Sequence, residues 1–264
     1  MVILITGITS GFGRAMAGRL NADGHKVYGT YRRDSEQIPG VTYLKADVRD
    51  KESLRMAVDT VIEKEGCIDT VISNAGMGIG GPLEFTSIDD AQRQMDVNFM
   101  GMVRLLNLVV PIMRRQHHGH IICISSIGGL MGLPYQGMYS ASKFAIEGYC
   151  EALRLELRRF GIHVTVINPG DFFTGFTAAR SKNLPTEAAT AYPGYLASMA
   201  SIESDERSGL QPDYLARRIC RIVSKKRPRN RYIIATFIQR LSVTLKAFLP
   251  AKWYDRILSN YYNL

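Results

Sequence analysis

The sequence predicts an α/β fold: a single doubly wound parallel sheet of about seven strands, helices on both faces, and a helical C-terminal extension. Three observations carry this. Short apolar runs alternate with longer amphipathic stretches from Val2 to Ile234. A glycine-rich turn follows the first run and opens the first helical pattern. Residues suited to meet a ligand recur just after the apolar runs, where the carboxyl ends of parallel strands gather. With 264 residues, the chain can bury one sizeable core.

Residues 2–6 form the first apolar run. It enters a turn that includes Gly7, Thr9, Ser10, Gly11, Phe12 and Gly13, and a helical pattern with Met16, Ala17 and Leu20 follows. Glycines let the backbone approach a pyrophosphate, and a helix N-terminus adds amide donors and partial positive charge. Between a first strand and a helix, such a turn reads as a dinucleotide site. Residues 25–33 form a second strand closing on Tyr31, Arg32 and Arg33, with no acid before Asp34. An NAD-specific site places an acid there for the ribose 2′-hydroxyl, whereas guanidinium groups hold a 2′-phosphate bidentately. NADP(H) is therefore the preferred coenzyme, with NAD(H) as the alternative.

A third strand, residues 41–46, ends at Asp47 and Val48, and Asp50 caps a helix running through Glu65. A fourth, residues 70–73, runs into Asn74, Ala75 and Gly76. One long helix is expected over 89–116 with Asn98 inside it. His117, His118 and His120 then read as a solvated loop rather than a metal site, because no acid or thiol lies at ligand spacing. The fifth strand, 121–125, closes at Ser126, and the sixth, 162–168, ends at Pro169 and Gly170. Residues 171–211 are rich in Ala, Ser, Gly and Pro with interspersed aromatics, and follow a strand carboxyl end. They read as a partly helical substrate lid. A helix over 212–224 and a strand around 231–234 complete a domain spanning 1–235, and residues 236–264 form a basic, amphipathic extension.

Tyr139 and Lys143 lie four residues apart in a helical stretch, so they share one face. A cation beside a phenol is expected to lower its pKa and ease proton transfer. Taken alone, such a pair is usually a solvated helix face; its position after Ser126 and a dinucleotide turn makes it a candidate site.

Charge is uneven. Residues 217–256 hold 12 Lys/Arg and one acid, a charge of +11, leaving 21 bases and 23 acids elsewhere, a charge of −2. The excess of +9 thus lies near the C-terminus, which argues against nucleic acid as a partner of the whole fold. Four scattered cysteines suit reduced core thiols. No secretory leader is evident, and no run reaches about 18 uncharged apolar residues, so no spanning helix is predicted. A cytoplasmic location follows as the expectation.

The ordered motifs resemble the short-chain dehydrogenase/reductase family in its single-domain, Rossmann-type form. They are Thr6-Gly7-x-x-x-Gly11-x-Gly13, Asp47-Val48, Asn74-Ala75-Gly76, Asn98, Ser126, Tyr139-x-x-x-Lys143 and Pro169-Gly170 with Thr174 beyond. The match spans roughly residues 2–175. Ser73 replaces the usual first Asn of the fourth-strand motif, and Ser10 stands where many NADP-preferring members are basic.

The resemblance implies hydride transfer between a nicotinamide and a carbonyl or secondary alcohol. Tyr139 would be the proton donor or base, Lys143 its electrostatic partner, Ser126 the holder of the substrate oxygen, and Asn98 part of a proton relay. The turn residues would cradle pyrophosphate. Asp47 would meet the adenine edge, Asn74 the adenosine ribose region and Thr174 the carboxamide, with Val48, Ala75, Gly76, Pro169 and Gly170 also cofactor-binding. It also implies a homodimer or homotetramer and, by analogy, a bulky apolar substrate such as a steroid, retinoid or long-chain keto lipid. A catalytically weak dinucleotide sensor at a membrane surface is the competing reading, since the basic aromatic tail suits peripheral contact with the inner face of a membrane.

Overall fold

The computed structural model describes residues 1–181, 185, 187–262 and 264. Positions 182–184 and 186 of the expected lid, and position 263 of the extension, lie outside the described residues.

Seven parallel strands form one sheet: β1 (Val2–Thr6), β2 (Lys26–Tyr31), β3 (Thr42–Lys45), β4 (Thr70–Ser73), β5 (Gly119–Ile124), β6 (Ile162–Pro169) and β7 (Arg231–Ile234). Their order is β3-β2-β1-β4-β5-β6-β7. The direction of winding reverses between β1 and β4, which opens a crevice at their carboxyl ends. All five residues of β1 are buried, as expected of a strand covered on both faces. Side chains alternate across it. Val2 and Leu4 join a core layer with Leu54, Leu105 and Ile146, while Ile3 and Ile5 join the opposite layer with Met16, Leu20, Leu215 and Ile219.

The helices that build those layers are α1 (Gly11–Ala22), α2 (Lys51–Glu65), α3 (Ile88–Met95), α4 (Gly101–Gln116) and α5 (Gly137–Leu157). The lid contributes α6 (Phe176–Ala179), α7 (Glu187–Ala191) and α8 (Tyr195–Ser208). They are followed by α9 (Pro212–Val223), α10 (Phe237–Phe248) and α11 (Ala251–Tyr262). Asp50 caps α2 by accepting from Glu52 N at 2.9 Å, as its position suggested.

Three expectations change. The helix expected over 89–116 is interrupted by a π-helical turn at Asp96–Met100, which separates α3 from α4. A wider turn of this kind inserts a residue into the helical ladder, and such turns gather at functional sites. Here the displaced stretch carries Asn98. Second, length and composition would let residues 88–116 cross a membrane, with a mean hydropathy of 1.3. Leu105, Leu106, Val109 and Met113 are instead fully buried in the layer against the sheet, as in a core helix. Third, His120 is not in a solvated loop. It lies in β5, 7% exposed, with Nε2 2.9 Å from Thr165 Oγ1.

The extension docks on the body. Thr236 opens α10 with a capping box completed by Gln239. Gln239 Nε2 donates to Asp171 Oδ2 at 2.5 Å, just after β6. Helix α10 comes so close there that a Cβ at Gly170 would sit 2.1 Å from Gln239 Oε1. Tyr254 of α11 is buried with Ile127 and Met131, and Ser198 of α8 donates its hydroxyl to the Tyr262 carbonyl.

Candidate active site

A cavity of about 1000 Å³ runs along the carboxyl ends of the strands. One end is bounded by Gly7, Thr9, Ser10, Gly11, Phe12, Arg32, Arg33, Asp47, Val48, Asn74, Ala75 and Gly76. Ser126, Tyr139, Lys143, Pro169, Gly170 and Thr174 line its middle. The other end is walled by α8, α10 and α11. Two of the expected site residues, Gly13 and Asn98, stand behind this lining.

The glycine turn is held from below. Thr6 Oγ1 accepts from the amides of Asn74 and Ala75 at 3.0 and 3.1 Å. Asn74 Nδ2 donates to the carbonyls of Thr6 and Gly7 at 2.9 and 3.1 Å. The Asn74 amide donors are thus committed to shaping the turn. Gly13 is required by close approach, since a Cβ would fall 2.0 Å from Gly7 O and 2.7 Å from Asn74 Nδ2. Ser10 caps α1 with extended backbone and makes no side-chain capping bond. The first amides of α1 therefore face the cavity mouth with the positive end of the helix dipole, an arrangement that fits a pyrophosphate.

Arg32 and Arg33 are exposed just beyond β2. A third guanidinium, which the sequence reading missed, stands opposite. Arg49 Nη2 bonds Asp47 Oδ2 at 2.7 Å, and this contact holds the Asp47 carboxyl below its ordinary range. Three guanidinium groups around one end of the cavity suit an additional phosphate.

At the centre, the first turns of α5 present Tyr139 and Lys143. The ammonium lies 5.6 Å from the Tyr139 ring centroid. Lys143 is buried, and Nζ donates to the Ile124 carbonyl at 2.9 Å. Burial lowers its pKa to about 8, against the opposing influence of Cys123 and Glu147. The Tyr139 phenol is pushed up to about 12, chiefly by burial, with the Ser126 hydroxyl pulling the other way. This corrects the expectation of a lowered phenol pKa. A lysine whose own charge is weakened and whose ammonium is turned to a carbonyl does not offset the desolvation of the ring. The free protein thus holds the phenol proton firmly at neutral pH.

Ser126 caps a short 3₁₀ turn, accepting from Gly128 N at 3.0 Å. Its carbonyl is fixed by Asn168 Nδ2 at 2.8 Å, and Asn168 in turn donates to Glu147 Oε1 at 2.6 Å. Asn98 makes three bonds from the π turn: Oδ1 accepts from Met77 N at 2.8 Å, and Nδ2 donates to Met77 O and Ser142 Oγ, each at 3.0 Å. Gln94 Nε2 adds a bond to the same Met77 carbonyl at 2.6 Å. Asn98 therefore ties the segment after β4 to α5. Asn168, Glu147, Ser142 and Gln94 escaped the sequence reading. Glu147 had a signal, lying one helical turn beyond Lys143; the others are ordinary polar residues whose burial only the fold reveals.

Comparisons with known proteins agree with this geometry. The "short chain dehydrogenase" family profile matches residues 1–185. A 3-ketodihydrosphingosine reductase of Bacteroides thetaiotaomicron is 46% identical over 262 residues, covering 99% of this chain and 97% of that one. Retinol dehydrogenase 8 of Bos taurus is 32% identical and covers 94% of this chain and 86% of its own. Estradiol 17-beta-dehydrogenase 1 of Rattus norvegicus is 41% identical, but the match covers 66% of this chain and 55% of that longer one. Among solved structures, a short-chain dehydrogenase/reductase of Burkholderia phymatum in complex with NAD superposes with a TM-score of 0.81 at 26% identity, covering 94% of this chain and 92% of that chain. The chain therefore belongs to the short-chain dehydrogenase/reductase family, as an oxidoreductase of carbonyl and CH–OH groups.

Proposed function

We propose that the protein is an NADP(H)-dependent reductase of a long-chain keto lipid, of the kind named by 3-ketodihydrosphingosine. The observation that carries this reading is the make-up of the cavity's far end. Leu241 and Leu245 of α10 and Ile257 and Leu258 of α11 wall it, beyond Tyr139. The 46% likeness to the Bacteroides reductase runs through these helices. The steroid relative's match covers 66% of the chain, and the retinol dehydrogenase's covers 94%. A long apolar groove supports an alkyl chain as the occupant.

The bound dinucleotide would supply the hydride. Arg32, Arg33 and Arg49 would hold its extra phosphate, and the glycine turn its pyrophosphate. Ser126 Oγ donates a hydrogen bond to the carbonyl oxygen as negative charge grows there. Tyr139 then gives its proton to that oxygen, and its raised pKa keeps it loaded for reduction at neutral pH. Lys143 stabilises the resulting phenolate, and the Asn98–Ser142 tie keeps α5 in register with the segment after β4.

The outer surface of the tail supports a peripheral membrane contact. Phe237, Phe248 and Trp253 are 77%, 81% and 71% exposed, with Arg240, Lys252 and Arg256 exposed around them. In the same reading the chain works as a homodimer or homotetramer. The deciding experiment follows NADPH oxidation with 3-ketodihydrosphingosine, a 17-ketosteroid and retinal. Turnover of the lipid above the other two is expected; preference for the steroid or retinal would overturn the substrate.

A further inference from the structure

The apolar end of the cavity is not uniformly apolar. Asp171, Asp205 and Glu206 all line it among Ile202, Leu241 and Leu258. Asp171 directly follows β6, and the other two lie in α8. Their partners differ. Asp171 accepts from the neutral amide of Gln239 at 2.5 Å, and Asp205 Oδ2 accepts from the Tyr261 hydroxyl at 2.9 Å. Glu206 pairs with the buried guanidinium of Arg180 and also accepts from Thr177 Oγ1 at 2.6 Å. Among the described residues, one cation thus stands against three carboxylates at this end. Burial first, then Glu206 and Asp205, push the Asp171 carboxyl up to about 6.

Two further observations place this cluster beside the reacting centre. The charges of Glu206, Arg180 and Asp171 all act on the Tyr139 phenol, the carboxylates raising its pKa and the guanidinium lowering it. Tyr139 packs against Phe176 at 5.6 Å between ring centroids, and the Arg180 guanidinium rests 5.8 Å from the Phe176 ring. Arg180, its side chain fully buried, leaves Nε and Nη1 without a hydrogen-bond partner among the described residues. Carboxylates in excess of cations are unfavourable where the cavity is shielded from water. A ligand carrying a cation beside its carbonyl would relieve the excess of carboxylates.

We propose that Asp171 and Asp205 select an amino ketone, binding a protonated amine on the carbon beside the carbonyl that Tyr139 protonates. The alkyl chain extends along α10 and α11. This rests on the ketone-reductase reading above and adds a charge requirement to it. Neutral ketones of equal chain length fit the groove but leave the carboxylates unpaired.

The test uses the full-length protein with NADPH and three ketones of the same chain length: 3-ketodihydrosphingosine, its N-acetyl derivative, and the 3-ketone lacking the amine. The free amine should be favoured in kcat/KM by about ten- to a hundredfold, the worth of a hydrogen bond to a charged group. D205N and D171N should each bring that ratio towards one, mainly through KM. Equal efficiency of the wild type on amine and neutral ketones would overturn the charge requirement and leave the reductase reading intact. Failure to reduce any of the three would overturn both. An unchanged ratio in two folded variants would reduce the carboxylates to structural groups. The wild-type ratio decides the matter even if a variant does not fold.

Discussion

The two ends of the cavity are built on different principles. At the dinucleotide end the backbone itself is the binding surface, so residue identity is forced: a single Cβ at Gly13 would overlap the Gly7 carbonyl. At the far end the surface is a wall of side chains. Leu241, Leu245, Ile257 and Leu258 face the groove from helices held by a handful of contacts, such as Tyr254 OH to Met131 Sδ at 2.9 Å and Lys246 Nζ to Leu130 O at 2.7 Å. Many apolar residues would serve equally well there. The difference teaches that one end fixes the coenzyme class and chemistry, while the other is free to choose the substrate.

That division predicts separable effects, of which the largest lies where the two ends meet. Tyr139→Phe keeps the ring against Phe176 and removes only the hydroxyl. Turnover should fall by about a hundred- to ten-thousandfold, the usual worth of a positioned proton donor. NADPH binding, followed by fluorescence, should change little. Retained turnover would remove Tyr139 from the chemistry.

At the dinucleotide end, Arg32→Asp places an acid where a ribose 2′-hydroxyl would want one. The ratio of kcat/KM for NADPH over NADH should fall by about ten- to a hundredfold, on the scale of lost charge-assisted hydrogen bonds. Arg49 remains on Asp47, so NADPH use should persist at a reduced level. No change in the ratio would shift coenzyme selection onto Arg33 and Arg49.

At the substrate end, Leu245→Ala removes three carbons from the groove wall. By the cost of unburied methylene groups, KM for a long-chain ketone should rise about tenfold, while a short ketone and NADPH are unaffected. A parallel loss on short and long ketones would mean that α10 holds the catalytic centre together rather than measuring chain length.

The same division governs what the sequence reveals. Strands β1, β4, β5 and β6 were legible because burial on both faces leaves continuous apolar runs, β2, β3 and β7 from β-prone stretches, and the turn because only glycine fits it. Tyr139, Lys143 and Ser126 were marked as a candidate site by their spacing, and the fold brings them to one cavity. Arg49 was missed because a surface arginine two residues beyond Asp47 has no pattern of its own. The π-helical turn was missed because Asn98 lies in an otherwise helical run, and its bonds to Met77 and Ser142 join distant segments. The docking of α10 and α11 was legible only as amphipathic spacing. Which face they bury depends on Asp171, Met131 and Ser198, all far away in sequence.

The remaining expected effects are in stability and leave turnover aside, and here the regions carry opposite signs. His120 in β5 is held near pKa 4 by burial and by His163, below its unfolded value. The fold then binds fewer protons than the unfolded chain between about pH 4 and 6.5, so stability drops as pH falls through that window, by about 3 kcal/mol. Thr165 spends its own proton on the Arg229 carbonyl and is left to accept from His120 Nε2, which fixes the tautomer of the neutral ring. Asp171 behaves in reverse. Its carboxyl, raised to about 6, makes the fold bind more protons than the unfolded chain between about pH 4 and 6, so its ionisation weakens the fold as pH rises. The effect is about 2 kcal/mol after allowing for its partial exposure. In the wild type the two slopes oppose each other. Urea unfolding from pH 4 to 7 should therefore split the variants: Asp171→Asn gains stability over the wild type towards neutral pH, and His120→Gln loses less than the wild type on acidification. Parallel curves for all three proteins would show that neither group is held away from its ordinary titration by the fold.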